Sequence, residues 1–465
     1  MAYDSILTRR KKRLHEDIGN AIEELYKENI AEHYGILAEH FISSENFGKG
    51  ANFYKLAGRQ AEKAGSLNDA IVFINKQVAC LERLTQTDGV EKNLIDSRTI
   101  LGLYHTQMGQ FIKAKTSIDP IVDVAIKRNY KKRVSHIYSI IGAYKGGIEE
   151  DFSSASEYYE KSLKIGKELN DPLSLVLGNN MMGAGLSSIG EFDKALHCFE
   201  KALEINVVAN SLWGIAAIKA WIAVNYHRRG DISLGYESSK EALRIADESG
   251  DIYSKGHAYT AHGSSYFYKG YIEEAKEYLL KGADFSERIN MFMFAASAHF
   301  GLGMTYLNME EYRISQKHFE KAISINRQGS LNLSYVNYNK IAFTLAKVMN
   351  DEVDIKIDDI FKWHEDIKSK WHMGWTLNCI GKILLNIGDR HNSEVEGWIK
   401  RSIETNQKYG MIWNLAQDYA LYAELFKRKG DQSKAKGKLK KAIEIFKECG
   451  ADGWVERYEK ALLQF

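Results

Sequence analysis

Histidine is the residue type in this sequence with the clearest potential for metal chemistry, since the chain has 14 of them. His33 and His40 are seven residues apart, which places both on one face of a helix, and His364 and His372 are eight apart near Glu365. Zinc sites use three or four converging ligands, usually with closer paired spacing. Neither pair has such a set, so the sequence favours packing or surface roles and predicts no metal site.

No arrangement of catalytic residues occurs in the sequence. It has no HExxH, no GxSxG and no paired catalytic carboxylates on a recognisable scaffold. A GxxxxGK[ST] phosphate loop is also missing, because residues 48–50 (GKG) lack the upstream glycine and the hydroxyl residue. The sequence therefore predicts a non-catalytic protein with no cofactor.

Composition indicates a helical protein. Of the 465 residues, 45% are hydrophobic and 27% charged, which is ample for a folded core. Only Pro120 and Pro172 are prolines, and proline breaks helix interiors. Pro120 falls inside an expected helix and should kink or break it. Asp171 before Pro172 reads as a helix cap followed by the favoured first helical position.

Charge and cysteine content limit the partners and the compartment. The net charge of +2 is too small to imply nucleic-acid or membrane binding, and no stretch approaches the length of a membrane span. Four distant cysteines without CxxC pairing indicate a reducing cytoplasm; they are Cys80, Cys198, Cys379 and Cys449. Basic runs at 9–13 and 127–133 could contact phosphate, but the second falls in a loop, where charges are ordinarily solvated.

A period of 40 residues organises the chain from Gly190 to Gly430. The same turn position is occupied by Gly109, Gly190, Gly230, Gly270, Glu310 and Gly430. A small residue follows shortly after each turn: Ala114, Ala195, Gly235, Ala275, Ser315 and Ala435. A fixed period of this length is typical of a solenoid, in which each unit buries its apolar face only against its neighbours.

The unit at 251–290 shows what one period encodes. Asp251 can cap the first helix by accepting backbone N–H groups of its first turn. Apolar and small residues then recur at helical spacing, and Gly270 suits the left-handed position that commonly ends a helix. Ile272 begins the partner helix. The unit is therefore predicted to be an antiparallel helix hairpin.

These hairpins resemble tetratricopeptide repeats. The family pattern of small residue, aromatic, turn, aromatic and alanine is seen at Gly303, Tyr306, Glu310, Tyr312, Ser315, Phe319 and Ala322. The usual unit of this family has about 34 residues, whereas HEAT and armadillo units have roughly 40–47. The turn and aromatic offsets favour the tetratricopeptide family with lengthened helices. The resemblance covers about residues 92–449 and implies an all-α, right-handed superhelical solenoid of antiparallel helix hairpins.

We expect four divisions of the chain. They are an N-terminal helical segment at 1–30, irregular repeat-like helices at 31–91, an array of about nine hairpins at 92–449 and a capping helix at 450–465. Two places depart from the period. The turn glycine is missing between Val348 and Trp371, and residues 391–393 carry an extra residue after Gly388.

The two ends of the chain carry a second resemblance. Residues 3–7 (YDSIL), 21–26 (AIEELY), 37–41 (LAEHF) and the tail at 449–459 (CGADGWVERYE) are similar to the C-terminal repeat region of bacterial adenylate/guanylate cyclase–AAA ATPase signalling proteins. The cyclase and ATPase motifs themselves are absent. The resemblance implies a sensor half, either as a truncated gene product, a separately encoded subunit or an excised domain, with a cyclase or ATPase module as its partner.

The tetratricopeptide resemblance also implies a binding groove. In that family the first helix of each hairpin lines the concave side, and asparagine there can hold an extended peptide backbone. Carrying the groove offsets over gives Asn180, His227, His257, Thr260, Ser264, Phe267, Phe300, Asn339, Trp375, Asn378 and Lys382. The alternative is that these are ordinary exposed helix residues.

The sequence thus favours a non-catalytic cytoplasmic scaffold that binds a protein or peptide. The alternative is the sensor segment of a nucleotide cyclase–ATPase system. A nucleic-acid-binding array is a third interpretation, but we predict no nucleic-acid or membrane partner.

Overall fold

The computed structural model describes residues 8–352, 354–388 and 392–464. Within these residues every regular element is a helix. The chain divides into two compact units, with the boundary between Ile140 and Ile141, inside α8 (Lys131–Gly147). The predicted all-α array of helix hairpins is confirmed, while the four divisions expected from the sequence stay predictions.

The first unit contains seven helices before α8. They are α1 (Thr8–Leu25), α2 (Tyr34–Ser43), α3 (Phe47–Lys63), α4 (Leu67–Leu81), α5 (Asp88–Gln107), α6 (Phe111–Ile118) and α7 (Val122–Lys127). The break expected at Pro120 is confirmed, because α6 ends at Ile118 and a 3-10 turn, Asp119–Ile121, separates it from α7. The basic run at 127–133 spans the loop between α7 and α8, as expected.

The second unit continues with sixteen helices. They are α9 (Phe152–Leu169), α10 (Pro172–Ser188), α11 (Phe192–Val208), α12 (Leu212–Arg229), α13 (Ile232–Ser249), α14 (Ile252–Lys269), α15 (Ile272–Arg288), α16 (Phe292–Asn308), α17 (Tyr312–Gln328), α18 (Leu333–Met349), α19 (Ile357–Glu365), α20 (Lys370–Asn386), α21 (Asn392–Lys408), α22 (Ile412–Arg428), α23 (Gln432–Cys449) and α24 (Asp452–Leu462). From α10 to α23 each even-numbered helix packs with the next as a hairpin.

The hairpins contain the helix caps and turns that the sequence predicts. The Asp251 carboxylate accepts the backbone N–H of Ser254 at 2.7 Å, as a helix cap should. Gly270 ends α14 with φ +93°, in the left-handed region. Glu310 adopts the same left-handed conformation with φ +63°, so the turn forms there without a glycine.

The unit that lacks its turn glycine has a shortened second helix. α18 ends at Met349, and α19 covers only Ile357–Glu365, about half the length of its counterparts. The departure expected between Val348 and Trp371 is therefore confirmed. Of the extra residue expected at 391–393, His391 lies outside the described residues.

Within the second unit, parts of the array about 180 residues apart in the sequence are in contact. α10 contacts α20, α12 contacts α22 and α14 contacts α24. Individual contacts are similarly long-range: Ser369 Oγ donates to Ser188 O, 181 residues earlier, at 3.3 Å, and Lys368 Nζ donates to Glu149 O, 219 residues earlier, at 3.1 Å. α10, α12 and α14 are therefore packed by later helices as well as by their neighbours in the array.

These contacts bury the first helices of the hairpins. α12 carries buried residues all around its axis, including Ala216, Ile218, Ala223 and His227. A helix that is apolar all round is expected where no face meets solvent. The groove that the tetratricopeptide resemblance implied along the first helices is therefore covered where α22 packs on α12 and α24 packs on α14.

Close helix approach should make Gly263 sensitive to substitution. A Cβ atom there would lie 2.8 Å from the backbone nitrogen of Leu279, which cannot move without shifting α15. Gly263→Ala should therefore lower the free energy of unfolding by about 1–3 kcal/mol. The exposed helical Gly437 has nothing within 4 Å of such an atom, so Gly437→Ala should raise it by about 0.5–1 kcal/mol. Urea unfolding of both variants checks this, and equal effects would contradict the packing.

Candidate ligand-binding site inside the second unit

A cavity of about 270 Å³ lies among α14, α16, α18, α20, α22 and α24. Its apolar wall consists of Phe267, Met304, Leu307, Leu345, Met349, Trp375, Trp413, Trp454 and Tyr458. Its polar wall consists of Asn308, Glu310, Tyr312, Asn378, Lys382, Asn414, Gln417 and Arg457. A mostly apolar concavity with a few polar groups is typical of a ligand site.

The indole rings of the cavity are fixed by backbone hydrogen bonds. Trp454 Nε1 donates to Phe267 O, and Trp413 Nε1 donates to Tyr268 O, each at 3.0 Å. Both carbonyls are at the C-terminal end of α14, where the helix leaves oxygens without partners inside it. The two indoles meet edge to face, with centroids 5.9 Å apart. Since their N–H groups are satisfied, the rings contribute apolar surface.

A buried carboxyl group holds the amide of Asn378 at the cavity. Asp418 is fully buried and accepts hydrogen bonds from Asn378 Nδ2 at 2.8 Å, Ser402 Oγ at 2.7 Å and Asn406 Nδ2 at 2.6 Å. Burial raises the pKa of Asp418 to about 7, against the lowering effect of these bonds. Asn378 is thus oriented by a side chain behind the wall.

Two polar side chains of the wall have unsatisfied donors. In the part of the chain that the structure describes, the Lys382 ammonium makes no hydrogen bond or ion pair. Burial lowers the pKa of Lys382. Gln417 Nε2 is buried without a partner, although the Gln417 oxygen accepts from the Tyr458 hydroxyl at 3.4 Å. Both groups can donate to a ligand.

Arg457 already contacts two residues of the cavity wall. Its guanidinium lies 5.5 Å from the Trp454 ring centroid, and Nη1 donates to Asn308 Oδ1 at 3.3 Å. The cation–π contact and the hydrogen bond together hold Arg457 against the wall.

The structure brings four of the eleven predicted groove residues to this cavity: Phe267, Trp375, Asn378 and Lys382. Phe300 packs behind it, edge to face with Trp375 at 5.2 Å. Five others are polar residues with a side-chain atom that is buried and lacks a hydrogen-bond partner among the described residues: Asn180, His227, His257, Thr260 and Asn339. Ser264 donates to Thr260 O at 2.9 Å. Their role in binding stays a prediction.

Two of those residues show how the inner helices differ from an exposed groove. His257 packs against Phe294 with centroids 3.7 Å apart, and burial lowers its pKa to about 3. His227 Nε2 is 2.8 Å from Ser265 Oγ, which continues at 2.7 Å to Ser239 Oγ. Its pKa is also lowered to about 3 by burial. Both rings are therefore neutral near pH 7 and belong to the packed interior.

The histidine pairs that raised the metal question also have packing roles. His364 Nδ1 is 2.8 Å from Thr376 Oγ1, and the His372 ring stacks on Tyr338 with centroids 4.2 Å apart. Across residues 8–352, 354–388 and 392–464, no three histidine, cysteine, aspartate or glutamate side chains are grouped as a metal site requires. All four cysteines are free thiols. No described helix has the length and apolar character needed to cross a bilayer.

Several residues of the cavity were not predicted as site residues. The sequence predicts no binding role for Trp413, Gln417, Trp454, Arg457 or Tyr458, which all line the cavity. The groove offsets take residues only from the first helices of hairpins, whereas α24 follows the last hairpin. The tail motif at 449–459 was the one available signal, because it contains three of these residues.

Comparisons with known proteins agree with the observed fold. Residues 256–287 and 296–328 match the family model of the tetratricopeptide repeat. The chain is similar to a Rap protein solved in complex with competence and sporulation factor, with TM-score 0.51 and 12% identity over 88% of this chain and 100% of that one. The second unit thus contains tetratricopeptide repeats, and the likeness to the Rap protein shows the fold.

Two other solved structures are less similar. One is a signal transduction ATPase with numerous domains and a tetratricopeptide repeat sensor from Pyrococcus horikoshii, with TM-score 0.46 and 15% identity over 86% of this chain and 55% of that one. The other is aspartyl phosphate phosphatase F from Bacillus subtilis, with TM-score 0.41 and 13% identity over 86% and 94%. No curated protein sequence matches the chain.

Asp418→Asn should change the pH dependence of stability. Because burial raises the Asp418 pKa from 3.8 to about 7, the folded chain keeps a proton that the unfolded chain releases between these values. The stability of the natural chain relative to the variant should fall as pH rises through this range, by up to about 1.4 kcal/mol per pH unit, and then level off. Urea unfolding of both proteins across this range checks this, and a difference that rises with pH would contradict the raised pKa.

Proposed function

We propose that this chain is a non-catalytic tetratricopeptide scaffold that binds a protein or peptide through the inner side of its second unit. The observation that carries the proposal is the cavity, in which three indole rings and unsatisfied donors line one space. Binding sites commonly place a rigid aromatic cluster beside a few hydrogen-bonding groups. The fold of stacked hairpins is one that usually presents binding surfaces.

The residues of the cavity wall indicate how a peptide would bind. An apolar side chain of the partner would fit between Trp375, Trp413 and Trp454 and lose its contact with water. Asn378 would bond the partner's backbone, since an amide offers both a donor and an acceptor. Because the hydrogen bond to Asp418 already fixes the orientation of the Asn378 amide, less side-chain entropy is lost on binding.

Filling the cavity should abolish peptide binding without unfolding the chain. Met304 is a buried wall residue, and Met304→Phe places a ring in the space that a partner side chain would use. Peptides selected from a displayed random library on the natural chain should bind this variant about tenfold more weakly or worse. Titration calorimetry measures the affinities, and thermal unfolding verifies the fold.

The matched control is Leu280→Phe, because Leu280 is an exposed residue of α15 outside the cavity. This variant should bind the selected peptides as the natural chain does. Failure to select any peptide, or equal binding by Met304→Phe, would refute the scaffold proposal at this site.

A second candidate function is the sensor segment of a nucleotide cyclase–ATPase system. One observation favours it: the tail at 449–459, which carries that resemblance, supplies Trp454, Arg457 and Tyr458 to the cavity. A sensor needs a ligand site, and this resemblance would place part of the site in its terminal helix. Reading the genomic sequence upstream of the Met1 codon tests the idea, since an in-frame phosphate loop or cyclase domain supports it and an isolated gene opposes it.

A further inference from the structure

Lys382 is a cation of the cavity wall that interacts with the charge of Asp418 through space but contacts no acidic group among the described residues. Its ammonium makes no ion pair or hydrogen bond within the described residues. Asp418, the nearby buried acid, is committed to Asn378, Ser402 and Asn406. Glu310, the one acidic residue of the wall, is solvent-exposed. The Lys382 side chain is partly exposed and lines the cavity, so an anion there would give its ammonium a direct charge-assisted hydrogen bond.

Gln417 supplies a second donor in the same wall. It is 9% exposed, and its Nε2 atom is buried with no hydrogen-bond partner among the described residues. Lys382 Nζ and Gln417 Nε2 are thus two wall donors without a hydrogen-bond partner among the described residues. A carboxylate has two oxygens that can accept from two such donors.

The remaining wall fits a flat apolar group. Trp413 and Trp454 have their N–H groups bonded to α14, so only ring surface is available to a ligand. Trp375 and Phe267 add further ring surface, and Met304 and Leu345 complete the apolar wall. Aromatic rings pack on one another in offset or edge-to-face arrangements with centroids 4.5–7 Å apart, as the wall residues already do at about 6 Å.

We propose that the cavity binds a carboxylate carried on a flat, apolar, aromatic body, with the carboxylate at Lys382 and Gln417 and the ring among the indoles. The inference rests on the proposed function only for the location of the site. Such a group has two sources, a free arylalkanoic acid or the C-terminal aromatic residue of a peptide. Either source presents the same chemistry to the wall.

The test uses acids and their neutral counterparts on the full chain. The probes are 3-phenylpropionate and its amide, and N-acetylphenylalanine and its amide, with binding followed by tryptophan fluorescence and calorimetry. At least one acid should bind about tenfold or more tightly than its amide. Lys382→Met should abolish that preference while leaving the weak amide binding unchanged, because methionine keeps the length of the side chain and removes its charge.

Two further variants test whether the preference for acids depends on the cavity residues. Lys281→Met, on exposed α15, is the matched control and should bind the acids as the natural chain does. Gln417→Leu should weaken acid binding several-fold and leave amide binding intact, which provides a second readout if Lys382→Met does not fold. Thermal unfolding of each variant verifies its structure.

The outcomes separate this inference from the proposed function. Preference for 3-phenylpropionate alone supports the inference with a free acid as the source, and preference for N-acetylphenylalanine supports it with a peptide terminus. Acid binding by a chain that selects no peptide would refute the scaffold proposal and leave this inference standing. Equal affinity for acids and amides, no acid binding, or an acid preference that survives in Lys382→Met would overturn it.

Discussion

The contact between early and late hairpins of the second unit is the constraint on which the candidate site depends. The C-terminal end of α14 receives the indole N–H groups of Trp413 and Trp454. Lys269, its last residue, donates to Gly450 O at 3.3 Å and pairs with Asp452 at 3.0 Å. The chain can come this close because Gly270 has no Cβ, which would collide with the backbone of Trp454. Without this contact, α24 would not form part of the cavity wall.

The same contact explains the unusual polarity of the interior. Helices covered on both sides still carry amide, hydroxyl and imidazole groups, and several of these have no partner among the described residues. Where partners exist, they form compact networks, such as Asp418 with its three donors. Burial keeps His227 and His257 neutral, while Lys382 is a partly exposed cation that makes no hydrogen bond or ion pair among the described residues. At the cavity, Gln417 Nε2 is also without a hydrogen-bond partner among the described residues.

Local features of the fold could be predicted from the sequence, because each depends on residues close together in the chain. Asp251 caps its helix and Gly270 ends it, as their types and positions indicate. The break at Pro120 follows from the proline ring. The groove offsets take Trp375, Asn378 and Lys382 from the first helix of a hairpin, and these residues line the cavity, while their role in binding stays a prediction.

The rest of the site could not be predicted, since it depends on how far the array turns per hairpin. That quantity sums small packing angles over many helices, and no short motif encodes it. Trp454 and Phe267 are 187 residues apart, and nothing in their local sequences indicates that they meet. His257 is buried against Phe294 of the next hairpin, which the groove offsets do not indicate.

The central claim is that α22 and α24 dock on α14 and enclose the cavity. Hydrogen exchange of the indole N–H groups, measured by NMR on tryptophan-labelled protein and assigned with Trp→Phe variants, tests it most directly. The indole signals of Trp413 and Trp454 should exchange slowly, since both are bonded to buried carbonyls of α14, while that of the exposed Trp213 should exchange fast. Exchange of Trp454 as fast as that of Trp213 would contradict the account.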